Sequence, residues 1–293
     1  MIIWLASYPK SGNTMIRSLL SAYFFSEDGT FDFNLIKNIK QFPYNPLFKE
    51  FGIETKNSKE MIKNYIKVQK LINKKNSIQF LKTHSSLFNI NNSHFTNLDC
   101  SLGAIYIVRD PRNVVSSFAR HFSLSIKEGS NRMINSHIMG SGLDEDPFIY
   151  SGSWSFHFNS WKFFKSKKKY LLIKYEDLVD NTEEIFLKIL TFISKLSKTN
   201  IIVDKKKFSN ALKSCDFELL KKKEAREGFA EAVTDKNSKK KINFFNLGKK
   251  NNYKDSLDLN IRKELEGSFQ KEMKELGYLS VSYTHLRAHE TRG

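Results

Sequence analysis

Four short apolar runs organise the chain: Ile2–Ala6, Ile78–Leu81, Ala104–Val108 and Tyr170–Ile173. Each is nearly continuous rather than alternating, the pattern of a strand covered on both faces. Apolar residues at helical spacing come after the first, third and fourth runs, over Met15–Phe25, Arg112–Phe122 and Thr182–Leu196. Strand-then-helix repetition predicts an α/β fold, a doubly wound parallel sheet in a single domain. Polar stretches near 27–77 and 123–153 separate these units and are expected to form lids or acceptor walls. The Lys-rich span 205–250 reads as a helix followed by a flexible loop. Val281–Gly293 (VSYTHLRAHETRG) carries Arg and His but no Lys, unlike the rest of the chain. Residues 280–293 are therefore expected to be a foreign or disordered tail behind a domain spanning 1–279.

The residues just past the end of each run carry the chemistry. Ser7-Tyr8-Pro9-Lys10-Ser11-Gly12-Asn13-Thr14 comes after the first, and Lys82-Thr83-His84-Ser85 after the second. Arg109-Asp110-Pro111-Arg112-Asn113 comes after the third, and Tyr175-Glu176-Asp177 after the fourth. In a parallel sheet all four lie at the carboxyl edge, where open α/β folds bind ligands. Lys10, Lys82, His84 and Arg109 would then share one crevice, an anion site with a candidate base in it.

The first loop opens directly into a helix, which makes it a phosphate cradle. Gly12 permits the tight turn, and the N–H groups of Gly12 to Met15 point at an anion together with the helix dipole. The Lys10 ammonium and the Ser11 and Thr14 hydroxyls add to it. The loop is P-loop-like but departs from GxxxxGK(S/T), because Lys10 precedes the glycine instead of following it. That order argues against a magnesium-dependent NTPase. In the third loop, Asp110 before Pro111 is a good N-cap followed by the favoured N1 proline. Arg109 could fork onto a phosphate with Ser117 donating from the helix, or serve equally well as a structural ion-pair residue.

Charge sharpens this picture only in part. The 48 Lys and Arg outnumber the 31 Asp and Glu by 17, but only 9 of the 48 are Arg. Nucleic-acid interfaces lean on Arg forks, so a nucleic acid is not expected as the main partner. The surplus fits attraction for polyanionic small molecules. With 40% hydrophobic residues over 293 positions, global disorder is excluded. Cys100 and Cys215 stand alone, which excludes a disulfide framework or a CxxC metal site. No apolar run approaches the roughly 18 residues of a membrane span. With Met1 leading straight into a core strand, a cytoplasmic location is expected.

YPKSGNT (8–14), KTH (82–84) and VRDPRNVVSS (108–117), together and in this order, resemble the cytosolic-type sulfotransferases. The likeness continues through GSWxxHxxxW (152–161), YED (175–177) and FFNLGKKNNYKD (244–255), up to about Leu279. It implies 3′-phosphoadenosine 5′-phosphosulfate (PAPS) as sulfuryl donor, 3′-phosphoadenosine 5′-phosphate (PAP) as product, and transfer without a metal. It further implies that Lys10, Ser11, Gly12, Asn13, Thr14 and Met15 hold the 5′-phosphosulfate, and that Arg109 and Ser117 hold the 3′-phosphate. Tyr175 would lie near the adenine, His84 would be the general base, and Lys82 and Lys10 would stabilise the departing charge. Asn246, Leu247 and Gly248 would complete the nucleotide site, where the family commonly reads Arg-Lys-Gly. Met15 stands where the family often has a stacking Trp. The family's dimer motif is not recognisable after Lys254, so no oligomeric state is implied. Trp154, His157 and Trp161, at helical spacing, read as core, and His121 as structural or solvated. The acceptor, a small molecule or a glycan, is not specified. The competing readings are a P-loop phosphoryl transferase and a non-catalytic nucleotide- or polyanion-binding member of the same fold.

Overall fold

The computed structural model describes residues 1–280 except 76, 136, 137, 145 and 236–238. The expected foreign tail, Val281–Gly293, lies outside the described residues. Its core is one parallel sheet of β1 (Ile2–Ser7), β2 (Gln79–Thr83), β3 (Ser101–Val108) and β4 (Tyr170–Lys174), in the order β2-β1-β3-β4. Trp4 pairs with Leu81 on one side and with Ala104 on the other, and Tyr106 pairs with Leu172.

The near-continuous apolar runs reflect the pleat, which sends successive side chains to opposite faces. Ile2, Trp4 and Ala6 enter one core layer with Phe42, Phe95, Tyr106 and Trp161. Ile3 and Leu5 enter the other with Leu19, Ile105, Ile107 and Phe186. Helices α1 (Asn13–Phe25), α2 (Pro111–His121), α3 (Trp154–Trp161) and α4 (Thr182–Ser197) cover these faces. The strand and helix expectations thus hold to within a few residues. The chain turns one way from β1 to β2 and the other way from β3 to β4. That makes the gap beyond the carboxyl ends of β1 and β3 the switch point where such sheets bind ligands.

The intervening segments are more ordered than their polarity suggests. Residues 27–77 form a 3-10 helix (Phe33–Asn38) and three helices (Asn45–Glu50, Ser58–Lys63 and Tyr65–Asn73). Residues 123–153 give a helix (Ile126–Ile134) and a short hairpin, Ile138–Met139 with Ile149–Tyr150. The 205–250 span differs from the expected helix and flexible loop. It holds two helices, Lys205–Ser214 and α5 (Phe217–Glu227), each capped by an aspartate, Asp204 and Asp216. After α5 the chain folds back in a hairpin, Val233–Thr234 with Lys241–Ile242. Buried Glu224 fixes the return, accepting hydrogen bonds from the Phe244 and Phe245 amides at 2.6 and 2.8 Å. A long-range tie of that kind leaves no periodic trace in the sequence.

Candidate active site

The loop after β1 is held open by its backbone. Lys10 has a φ of 66° and Gly12 a φ of 99°, both in the left-handed region. At Gly12 a Cβ would stand 2.4 Å from Tyr175 Cδ2, so only glycine fits beneath that ring. Asn13 faces inward, donating to the Leu5 carbonyl at 2.9 Å and to Ser7 Oγ at 3.2 Å. These two bonds lock the cradle to β1. Ser11 Oγ is buried with no hydrogen-bond partner among the described residues.

The loop after β3 separates two arginines that are indistinguishable in the sequence. Asp110 caps α2, accepting from the Arg112 amide at 2.9 Å, and its carboxylate also grips the Arg112 guanidinium at 2.6 Å. Glu266 and the Tyr278 carbonyl take the remaining Arg112 donors. Arg109 is different: among the described residues it makes no ion pair. Although only 6% exposed, it offers Nη1 to the Lys10 carbonyl at 3.4 Å, and its Nε has no partner. Its guanidinium lies 4.2 Å from the centre of the Tyr175 ring. A buried, under-bonded guanidinium costs more than one that meets an anion, so the site fits a phosphate there. Ser117 stands two turns along α2 and lines the same cavity.

His84 sits just past β2, partly buried, with Nδ1 2.9 Å from the Ser7 carbonyl. A carbonyl only accepts, so Nδ1 carries the proton and Nε2 is left with a lone pair. Burial, reinforced by the Lys82 ammonium, holds this imidazole well below its usual pKa, neutral at pH 7. Behind it lies His157, fully buried, with Nδ1 2.8 Å from the Tyr106 hydroxyl. His157 Nε2 donates to the His84 carbonyl at 3.1 Å, and Trp161 Nε1 donates to the Ser85 carbonyl at 3.0 Å. Trp154, His157 and Trp161 are core residues, as their spacing suggests, and two of them fix the backbone that carries His84.

These loops open into one cavity of about 640 Å³. Lys10, Gly12, Asn13, Thr14, Met15, Lys82, His84, Arg109, Ser117 and Tyr175 line it, and so do Asn246, Leu247 and Gly248. Every candidate site residue except Ser11 thus reaches the same space. Ser11 is buried beneath the loop. Lys249 and Lys250 are the cations that directly follow Asn246-Leu247-Gly248. Lys249 turns to Asp180 at 3.0 Å, and neither lysine is a cavity wall.

Three residues escape a reading of the sequence. His121 is half-buried and lines the cavity, and burial with the nearby Lys10 and Lys82 charges pushes its pKa down to about 3. Its spacing of four from Ser117 on a helix is the signal that could have found it. Phe217, at the start of α5, packs against Gly248 and forms an aromatic wall. Glu231 brings a carboxylate to Arg17, Lys82 and Thr14 from a stretch with no motif at all. Among the described residues, no group of three His, Cys, Asp or Glu is placed to hold a metal ion. No helix among them is long and apolar enough to cross a membrane.

A family model described as "Sulfotransferase domain" matches residues 2–277. A 3-beta-hydroxysteroid sulfotransferase from Cavia porcellus is 30% identical over 94 residues, which is 32% of this chain and 32% of that protein. The match therefore spans about a third of that relative's length. Among solved structures, a mouse sulfotransferase complexed with PAP superposes with a TM-score of 0.59 at 17% identity, covering 94% of this chain and 86% of the other. A retinol dehydratase in complex with androsterone and inactive cofactor PAP gives 0.58 at 17%, covering 97% and 82%. At these identities the likeness establishes the fold.

Proposed function

The chain belongs to the sulfotransferase-domain family, and from that premise we propose that it moves a sulfuryl group from PAPS to a hydroxyl or amine acceptor. PAPS supplies an activated sulfuryl group on a phosphate leaving group, and the protein's part is to bind, orient and exchange charge. The α1 amides with Thr14 hold the 5′-phosphosulfate. Arg109 and Ser117 hold the 3′-phosphate, with Tyr175 over Gly12 shaping the adenine end. Phe217 offers that end an aromatic face in place of the one Met15 lacks. His84 Nε2 takes the acceptor's proton. Lys82 and Lys10 face the oxygen on which charge accumulates as the sulfur–oxygen bond breaks. Of all the observations, the His84 tautomer supports this reading best: a neutral imidazole with its lone pair directed away from Ser7, beside Lys82, in a cationic cleft.

Steroids and retinoids enter through relatives only: one is named a 3-beta-hydroxysteroid sulfotransferase, another was solved with androsterone. Phe122, Ile126, Met139 and Ile149 give this cavity an apolar wall beside Arg120 and His121. An amphipathic alcohol with an apolar body suits such a wall. The test is release of PAP from radiolabelled PAPS against a panel of hydroxylated hydrophobic acceptors and amines. Label transferred to an acceptor is the expected result. PAPS binding with no transfer to any acceptor, under conditions where a control sulfotransferase turns over, would leave a nucleotide-binding member of the fold instead.

A further inference from the structure

Glu231 is the one carboxylate among the described residues that is paired with a cleft lysine, and it is placed where carboxylates are least expected, inside an anion site. Its Oε1 lies 3.5 Å from Lys82 Nζ, and its Oε2 accepts from Thr14 Oγ1 at 3.4 Å. The anchor is Arg17 on α1, whose Nη1 meets Oε1 at 2.5 Å. Arg17 is itself fixed: Nη2 donates to the Ile36 and Ile39 carbonyls at 3.3 and 3.1 Å. A rigid relay therefore runs from the backbone at 36–39 through Arg17 and Glu231 to Lys82. The other acidic wall, Asp146, is occupied by the Ser141 amide and hydroxyl at 2.8 and 2.9 Å.

We propose that Glu231 is a positioning residue of the transfer site: held by Arg17, its carboxylate is the built-in counter-ion that keeps Lys82 charged and aimed into the cleft. This rests on the sulfotransferase reading for its meaning, though not for its physics. Taking a lysine out of water without an opposite charge favours the neutral amine, which neither attracts a phosphate nor steadies a departing oxygen. The Lys82 side chain is only 11% exposed. Apart from Asp146, which is held by Ser141, the other charged and imidazole groups lining the cavity are Lys10 from the first loop, His84 after β2, Arg109 after β3, and Arg120 and His121 on α2. Burial pushes Lys82 down to about 8, with Glu231 opposing the fall. Lys10, also drawn down to about 8 by burial and then by Lys82, is supported by Glu231 in the same way. Burial works against an ionised Glu231, yet Lys82 and Arg17 hold its carboxyl well below the usual carboxylate range. The counter-ion is therefore present at every pH where the lysines matter.

The test separates this role from the donor reading. Lysine titrations in the intact protein are followed by NMR of ¹³C-labelled lysine side chains, with Lys82→Arg used to assign the signal. Glu231→Gln keeps the shape and removes the charge. The Lys82 titration is expected to move down by about one pH unit. Glu231→Asp should restore most of that shift. The alkaline limb of PAP binding, measured by calorimetry from pH 6.5 to 9.5, should move down with it in Glu231→Gln. An unchanged Lys82 titration in folded Glu231→Gln overturns the proposal. Should that variant fail to fold, Glu231→Ser carries the same expectation. If the titration moves but PAP binds neither protein, the counter-ion role stands and the donor reading falls.

Discussion

The floor of the cleft is made of two loops leaving adjacent core strands, whereas its roof, residues 230–233 and 242–248, is anchored from outside by Glu224 and Arg17. On the floor, geometry is set within a few residues: the left-handed Lys10 and Gly12, Asn13 bonded back to Leu5, and Asp110 capping its own helix. On the roof, Glu224 holds the Phe244 and Phe245 amides, and Glu231 reaches Arg17, which lies 214 positions earlier. On the proposed reading the floor supplies most of the anion's donors, while the roof sets how charged that floor is and what shares the cleft with the nucleotide. Affinity for the donor should therefore fail at floor positions, and turnover and acceptor choice at positions between floor and roof.

Removing the base should produce the widest gap between binding and chemistry. His84→Ala is expected to lower turnover by about 10²–10⁴-fold while PAP affinity, read by calorimetry, changes little. An equal loss in both would make His84 part of the floor rather than a base. Arg109→Ala acts purely on the floor. Losing a charged hydrogen bond of about 1.5–3 kcal/mol should weaken PAP by roughly 10- to 150-fold. AMP, which lacks the 3′-phosphate, should hardly notice the change. Matching losses for PAP and AMP would remove Arg109 from the 3′-phosphate. The smallest effect is expected at the acceptor wall, where Met139→Ala should shift the acceptor KM by about 3- to 10-fold, the worth of one or two buried methylenes, with PAP affinity unchanged. A change in PAP affinity there would mean that the two halves are not independent.

The same contrast explains what the sequence could disclose. β1 and β3 are legible because both faces of each are buried, and the cradle is legible because a strand, a glycine and a helix start fall within a few residues. The convergence of Lys10, Lys82, His84 and Arg109 follows from a parallel sheet alone, whereas the strand order needs the structure. Arg109 and Arg112 lie three residues apart, and it is Asp110, with Glu266 and Tyr278 from far along the chain, that makes Arg112 the structural one. His84 and His157 are told apart by spacing, and their partners differ accordingly: the Ser7 carbonyl and hydroxyl beside an open cleft for one, a tyrosine and a carbonyl in the core for the other. The later part of the Lys-rich span 205–250 reads as a flexible loop, and nothing local announces that Glu224 closes it or that Glu231 enters the site. His121 was within reach, four residues past Ser117.

Whether the floor is a site for a 3′,5′-bisphosphorylated adenosine is decided by thermal unfolding in the presence of PAP, ADP or ATP, without magnesium. A ligand bound only by the folded protein stabilises it by about 2.7 kcal/mol at a hundredfold excess over Kd, which raises the midpoint of a chain this size by roughly 5 °C. PAP should produce such a rise, and ADP and ATP little. Equal rises for all three, or a rise for ATP that depends on added magnesium, would contradict a bisphosphate site.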